Sequence, residues 1–147
     1  MSKDLLVAES AYKSILDTIG SSDPELGGIL GTTEGRTCCE HFILDEIDRR
    51  WFHMYRPNVD YLNACLRRWD EHDIELTAFV HSHASIHPTL SIADLEFGKA
   101  LAKQLDTQTV YMVLVVMYLD KLQEIKAYRI NADGDVEECS LLITPDS

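Results

Sequence analysis

The chain lacks several of the signatures by which a small protein most often declares its chemistry. It has no CxxC pair, so its four cysteines, Cys38, Cys39, Cys65 and Cys139, support neither a cysteine zinc site nor a thioredoxin-like redox site. It has no GxGxxG and no GxxxxGK[ST], which removes the two common nucleotide-binding loops. The longest strongly apolar run, Val110 to Leu119, includes Tyr111 and Tyr118 and falls well short of the roughly 20 residues a membrane helix needs. No membrane association is expected. The N-terminal residues MSKDLLVAES hold no hydrophobic core of signal-peptide length. A cytoplasmic location with free thiols is therefore expected.

Positive charge is also scarce. Thirteen Lys and Arg stand against 25 Asp and Glu, a net charge of −12. Such a surface repels phosphate backbones, so nucleic acid is not an expected partner. The acidity favours a basic peptide in principle, although plain solubility is the simpler explanation. Stretches rich in Pro, Gly or Ser are missing, as are repeats and low-complexity segments. One domain spanning residues 1–147 is the simplest organisation.

What is present reads as alternating helices and strands. Ala8, Ala11, Tyr12, Ile15, Leu16 and Ile19 recur at helical spacing, with Gly20 as a stop. A strand over Glu25–Leu30 has Gly27 and Gly28 at its centre, which weakens it unless a backbone or ligand must come close. Strands are expected over Thr37–Ile47 and Phe52–Arg56. A helix over Asn58–His72 follows, capped by Asn58, with Tyr61, Leu62, Cys65, Leu66 and Trp69 on one face. Leu76–Val80 reads as a buried central strand, Ser91 opens a helix to about Gln104, and strands follow over Thr109–Tyr118, Gln123–Ile130 and Val136–Ile143. The expected class is α+β, a mixed and mostly antiparallel sheet packed with about three helices.

The segment from His81 to Asp94 carries the chemistry. Side chains two apart on a strand face the same side, so His81 and His83 can point two imidazoles at one metal while Ser82 faces away. Asp94 falls in the first turn of the next helix, and the polar loop between is long enough to bring its carboxylate over the pair. Two imidazoles and a carboxylate leave a fourth tetrahedral position for water, as a catalytic zinc site requires. Each piece has a plainer explanation. HxH occurs often by chance, and Ser91-x-x-Asp94 is also a helix-capping arrangement, whose carboxylate can serve both purposes with its two oxygens. Glu25 alone reads as a surface glutamate. His87 reads as an exposed loop histidine, His41, His53 and His72 as structural or exposed, and Trp51 and Trp69 as packing residues.

The combination is more specific than its parts. Glu25 followed by Leu26-Gly27-Gly28-Ile29-Leu30-Gly31, then His81-Ser82-His83, seven residues, Ser91, two residues and Asp94, resembles the JAMM motif of the JAB/MPN family of zinc metallopeptidases. The order of elements fits that family across nearly the whole chain, and the length is similar to its small stand-alone bacterial members. The resemblance implies one zinc per chain, held by His81, His83 and Asp94. It implies that Glu25 takes a proton from the attacking water and returns it to the leaving amine, and that Ser91 donates a hydrogen bond near the metal. It further implies cleavage of a peptide or isopeptide bond, typically after the C-terminal glycine of a ubiquitin-like protein. Many relatives have proline where this chain has Ala84, and the chain is short for the insertions that grip polyubiquitin linkages. Two other readings compete, a non-catalytic MPN-type scaffold module and a zinc hydrolase of a small substrate. A zinc deaminase is excluded because H-x-E and P-C-x-x-C are missing. Substrate identity, linkage selectivity and oligomeric state are not written in the sequence.

Overall fold

The strand richest in apolar residues organises the molecule. Successive side chains of a strand point to opposite faces, so a strand that is apolar at nearly every position needs cover on both. In Thr109–Tyr118, Val113, Val115 and Met117 enter one core cluster while Val110 and Met112 enter another. The first cluster is completed by Ala11, Ile15 and Ile19 of the N-terminal helical segment, and the second by Leu62, Cys65, Trp69 and Ala102 from two later helices.

The computed structural model describes residues 4–22, 26–46 and 57–146. Among them run β1 (Leu5–Ala8), α1 (Glu9–Asp17), a 3-10 turn (Ile19–Ser21), β2 (Gly27–Thr33), β3 (His41–Leu44), α2 (Val59–Glu71), β4 (Ile74–Ala84), α3 (Ile92–Gln104), β5 (Thr109–Tyr118), β6 (Lys121–Asn131), β7 (Val136–Cys139) and β8 (Leu141–Thr144). The main sheet has the order β3-β2-β4-β5-β6-β7, and only β4 and β5 run parallel within it. The fold is α+β with three α-helices and a mostly antiparallel mixed sheet, as expected.

The differences from expectation are local. The first helix begins at Glu9, because Leu5–Ala8 is instead a strand paired in parallel with β8 (Leu5 with Leu141). A four-residue apolar run has no period that separates strand from helix, and its partner lies at the other end of the chain. The helix ends at Asp17, and Ile19 is buried from a 3-10 turn. The single expected strand over Val136–Ile143 is two. Its first half pairs with β6 and its second with β1, the switch falling at Ser140, whose carbonyl accepts from the Leu5 N–H at 2.9 Å. Within Thr37–Ile47 only His41–Leu44 is strand among the described residues. Phe52–Arg56, His53 and Trp51 lie outside the described residues, as does Glu25 at the start of the strand expected over Glu25–Leu30, which is observed from Gly27.

Gly28, the second of the paired glycines of β2, has a close backbone neighbour. A Cβ on Gly28 would stand 2.5 Å from the Ile43 carbonyl oxygen and 2.8 Å from the Phe42 ring, so β3 can lie against β2 only if position 28 is bare. Gly28→Ala is expected to cost about 1–3 kcal/mol, the usual range for overpacking, because the first atom met is backbone and cannot rotate away. Urea denaturation measures this, and an unchanged midpoint would contradict the packing described.

Candidate metal centre

The two histidines sit where β4 is most enclosed. His81 pairs with Gly27 of β2 on one side and Leu114 of β5 on the other, and His83 pairs with Val116. The residues are 2% and 7% exposed. The strand parity holds. Their rings stand 4.8 Å apart at 75° on one face, while Ser82 between them is fully buried and bonds to Leu26.

Asp94 is delivered by the start of α3. Ser91 caps the helix, its hydroxyl accepting from the Asp94 N–H at 3.1 Å, and the Asp94 carboxylate accepts from the Ser91 N–H at 2.8 Å. This capping box fixes the carboxylate at the helix N-terminus, where the exposed N–H groups favour a negative charge. The same oxygen, Asp94 Oδ2, lies 3.1 Å from His81 Nε2 and 3.2 Å from His83 Nε2. Capping and facing the histidines are thus combined on one oxygen rather than divided between two, because the box turns Oδ2 back toward both the Ser91 N–H and the sheet. Phe97, one turn further along α3, stacks edge-on against Phe79, two residues before His81, with centroids 5.0 Å apart. That contact fastens the helix to the strand that carries both histidines.

Three donor atoms, one from each of His81, His83 and Asp94, lie within 4.8 Å of one another. A tetrahedral zinc site with bonds of about 2.0–2.1 Å separates its ligand atoms by about 3.3–3.4 Å. The two imidazole–carboxylate separations are close to that edge. Protonation gives a second test. His83 Nδ1 lies 3.1 Å from the His87 carbonyl, which can only accept, so Nδ1 carries the proton. His83 Nε2 then faces Asp94 Oδ2 at 3.2 Å, donating to it when the ring is an imidazolium and offering its lone pair to a shared cation when the ring is neutral, so the residues present fit a divalent metal. Burial alone would raise the Asp94 carboxyl, but bonds from His81 and His83, the His81 charge and the Ser91 N–H outweigh it and hold Asp94 well below the ordinary carboxylate range. The group can therefore hold a metal ion with its carboxylate ionised.

Of the other residues singled out in the sequence, Ser91 is exposed at the mouth of the group and Glu25 lies outside the described residues. His87 is exposed, and it is its backbone carbonyl that reaches the group, by orienting His83. His41 bonds Thr33 Oγ1 at 2.9 Å and tilts against the buried Trp69. His72 is exposed at the end of α2. All four cysteines are free, and none joins a metal-binding group among the described residues. Burial pushes the Cys39 thiol up to about 11, against the lowering effect of Thr32 and Thr77, which makes it a poor nucleophile at neutral pH.

Sequence reasoning missed the supports around the three metal-facing residues. Lys126 of β6 donates from Nζ to the Pro88 carbonyl at 2.9 Å, and the His87 N–H donates to Ala84 at 2.8 Å, closing the turn that carries the His87 carbonyl. No residue-type signal announces a backbone acceptor. Only Ser82, placed by parity on the opposite face from both ligands, could have been found. A cavity of about 800 Å³ between α2, α3 and the starts of β4 and β5, lined in part by Leu66, Arg67, Leu105 and Arg129, includes none of the three metal-facing residues.

No protein-family model and no curated protein sequence matches the chain. Solved structures do. A protein from Desulfitobacterium hafniense superimposes with a TM-score of 0.64 at 16% identity, over 97% of this chain and 94% of that one. A protein from Salinibacter ruber gives 0.60 at 19%, over 94% and 91%. A JAB1/MPN domain protein from Archaeoglobus fulgidus gives 0.53 at 17%, over 94% of this chain and 99% of that one. At these identities the likeness is one of fold. The chain has an MPN-like fold, and at the end of the parallel β4–β5 pair of its main sheet stands a His–His–Asp group that could hold a metal ion.

Proposed function

We propose that the protein is a zinc-dependent peptidase or isopeptidase, cleaving after the C-terminal glycine of a ubiquitin-like protein. The observation that carries this reading is the meeting of His81 Nε2, His83 Nε2 and Asp94 Oδ2 on a fold of the MPN kind, at the spacing the motif requires. His81, His83 and Asp94 would hold one zinc. Zinc bound there supplies Lewis-acid polarisation of a carbonyl and water of lowered pKa. Glu25 takes the proton of the attacking water and hands it to the departing amine. Ser91 Oγ accepts the Asp94 N–H through a lone pair, which leaves its hydroxyl proton to be donated to the developing oxyanion. As a zinc ligand Asp94 would be ionised, so it would not compete with Glu25 for the proton.

The test is cleavage of a ubiquitin-like protein joined through its C-terminal glycine to a reporter amine. The protein should cleave it, a chelator should abolish cleavage, and alkylation of the thiols should leave it intact, because Cys39 and Cys65 are buried and no cysteine stands with the metal-facing residues. Loss of cleavage on alkylation with zinc retained would contradict the assignment. Failure to cleave any such fusion while zinc is bound would favour a small substrate or a scaffold role.

A further inference from the structure

β4 begins before its pairing with β5 does. Ile74, Glu75 and Leu76 pair with Thr33, Thr32 and Gly31 of β2, but the register with β5 starts only at Ala78 opposite Tyr111. Carried back toward the strand starts, that register would set Thr77 opposite Val110 and Leu76 opposite Thr109. Neither pair forms, although β5 already runs from Thr109. The cause is a bulge. Leu30 and Gly31, adjacent in β2, face Ala78 and Leu76 of β4, so Thr77 is an extra residue. A bulge bends its strand and ends pairing locally. The sheet therefore forks between its two parallel strands, and among the described residues no strand is paired to the β5-facing edge of Ile74–Thr77.

The cavity of about 800 Å³ lies at this fork. A cavity on one face of a strand touches every second residue. This one is lined by Ile74, Glu75, Leu76 and Thr77 in succession, so it meets β4 along the edge, where backbone N–H and C=O groups point. On one side of that edge, Leu66 of α2 and Leu101 and Leu105 of α3 join Ile74 and Leu76 in a half-buried aliphatic wall. Glu75 takes the other side by strand parity. Asp70, Glu75 and Asp106 outnumber Arg67 among the exposed charges of the lining, and Arg129 stands between its cross-strand neighbours Tyr111 and Glu137. An open strand edge takes an extended backbone. The aliphatic wall then selects every second side chain, and the acidic charges select cations at the positions between.

We propose that the fork is a docking site for an extended segment of a partner protein in which aliphatic and basic residues alternate, its backbone pairing with Ile74–Thr77. The site lies about 16 Å along β4 from His81, five residues at about 3.3 Å each, and so leaves the metal-facing group open. It does not depend on the peptidase reading.

The probe is a capped hexapeptide of alternating lysine and valine, titrated into the full isotope-labelled chain and followed by amide NMR. Shifts should concentrate at Ile74–Thr77, Thr109 and Tyr111 and leave His81 and His83 unmoved. N-methylation of either the valines or the lysines, whichever set of amides faces the edge, should weaken binding by about tenfold, the worth of one or two hydrogen bonds. Asp70→Lys combined with Glu75→Lys, both at exposed positions, should weaken it by about tenfold as well and should favour a glutamate–valine peptide instead. No shift at millimolar peptide, shifts centred on other residues, or equal binding by both N-methylated forms would overturn the proposal. So would unchanged affinity in the charge-reversed variant. Shifts at the same residues on raising the protein concentration alone would assign the fork to a second copy of the chain and overturn it too.

Discussion

Replacing His81 and His83 together by alanine is expected to abolish metal binding and, with it, hydrolysis. The two imidazoles are the only nitrogen donors in the three-residue group, and the one remaining carboxylate is a single oxygen donor at a helix end. Loss of an outer partner of a ligand typically costs about 10–100-fold in metal affinity, and loss of two ligands should far exceed that. The fold should survive. β4 pairs with β2 and β5 through backbone bonds, which alanine at either position leaves in place. Competition against a chromophoric chelator measures the affinity, and circular dichroism checks the fold on the same samples. Stoichiometric zinc retained by the folded double variant would place the metal elsewhere.

Glu25→Gln is expected to do the reverse, keeping the metal and losing the reaction. Glutamine preserves shape and removes the basic oxygen, so no ligand is touched and substrate should still bind. The rate should fall by about 10²–10⁴-fold, the usual worth of a positioned general base. Because the interaction is made in the transition state, the loss should appear in kcat and kcat/KM alike, with KM little changed. Hydrolysis of the reporter fusion at the wild-type rate by Glu25→Gln would refute the role of Glu25 even with zinc in place.

How much of this could be read from residues alone depended on range. His81 and His83 were legible because a strand has a period of two and β4 is flanked on both sides, so parity and burial agree. Asp94 was legible because Ser91-x-x-Asp94 marks a helix start, and α3 does start there. β5 matched its expected span at both ends, since a run rich in valine with tyrosines leaves little choice. β1 was not legible. Leu5 meets Leu141 from the far end of the chain, and nothing local to LLVA distinguishes a strand from a helix start. The division between β7 and β8 was hidden for the same reason, as the chain leaves β6 at Ser140 only because β1 offers a second partner. The supports of the metal-facing group are contributed by carbonyls of His87 and Pro88, and a carbonyl is the same atom in every residue.

X-ray absorption at the zinc edge, recorded on protein loaded with one equivalent of zinc, tests the assignment of the metal to His81, His83 and Asp94 most directly. The account predicts a first shell of nitrogen and oxygen alone at about 2.0–2.1 Å, with the outer scattering of two imidazoles and no sulfur. A sulfur shell at about 2.3 Å would assign the metal to the cysteines, and failure to hold stoichiometric zinc would deny the site; either result would contradict it.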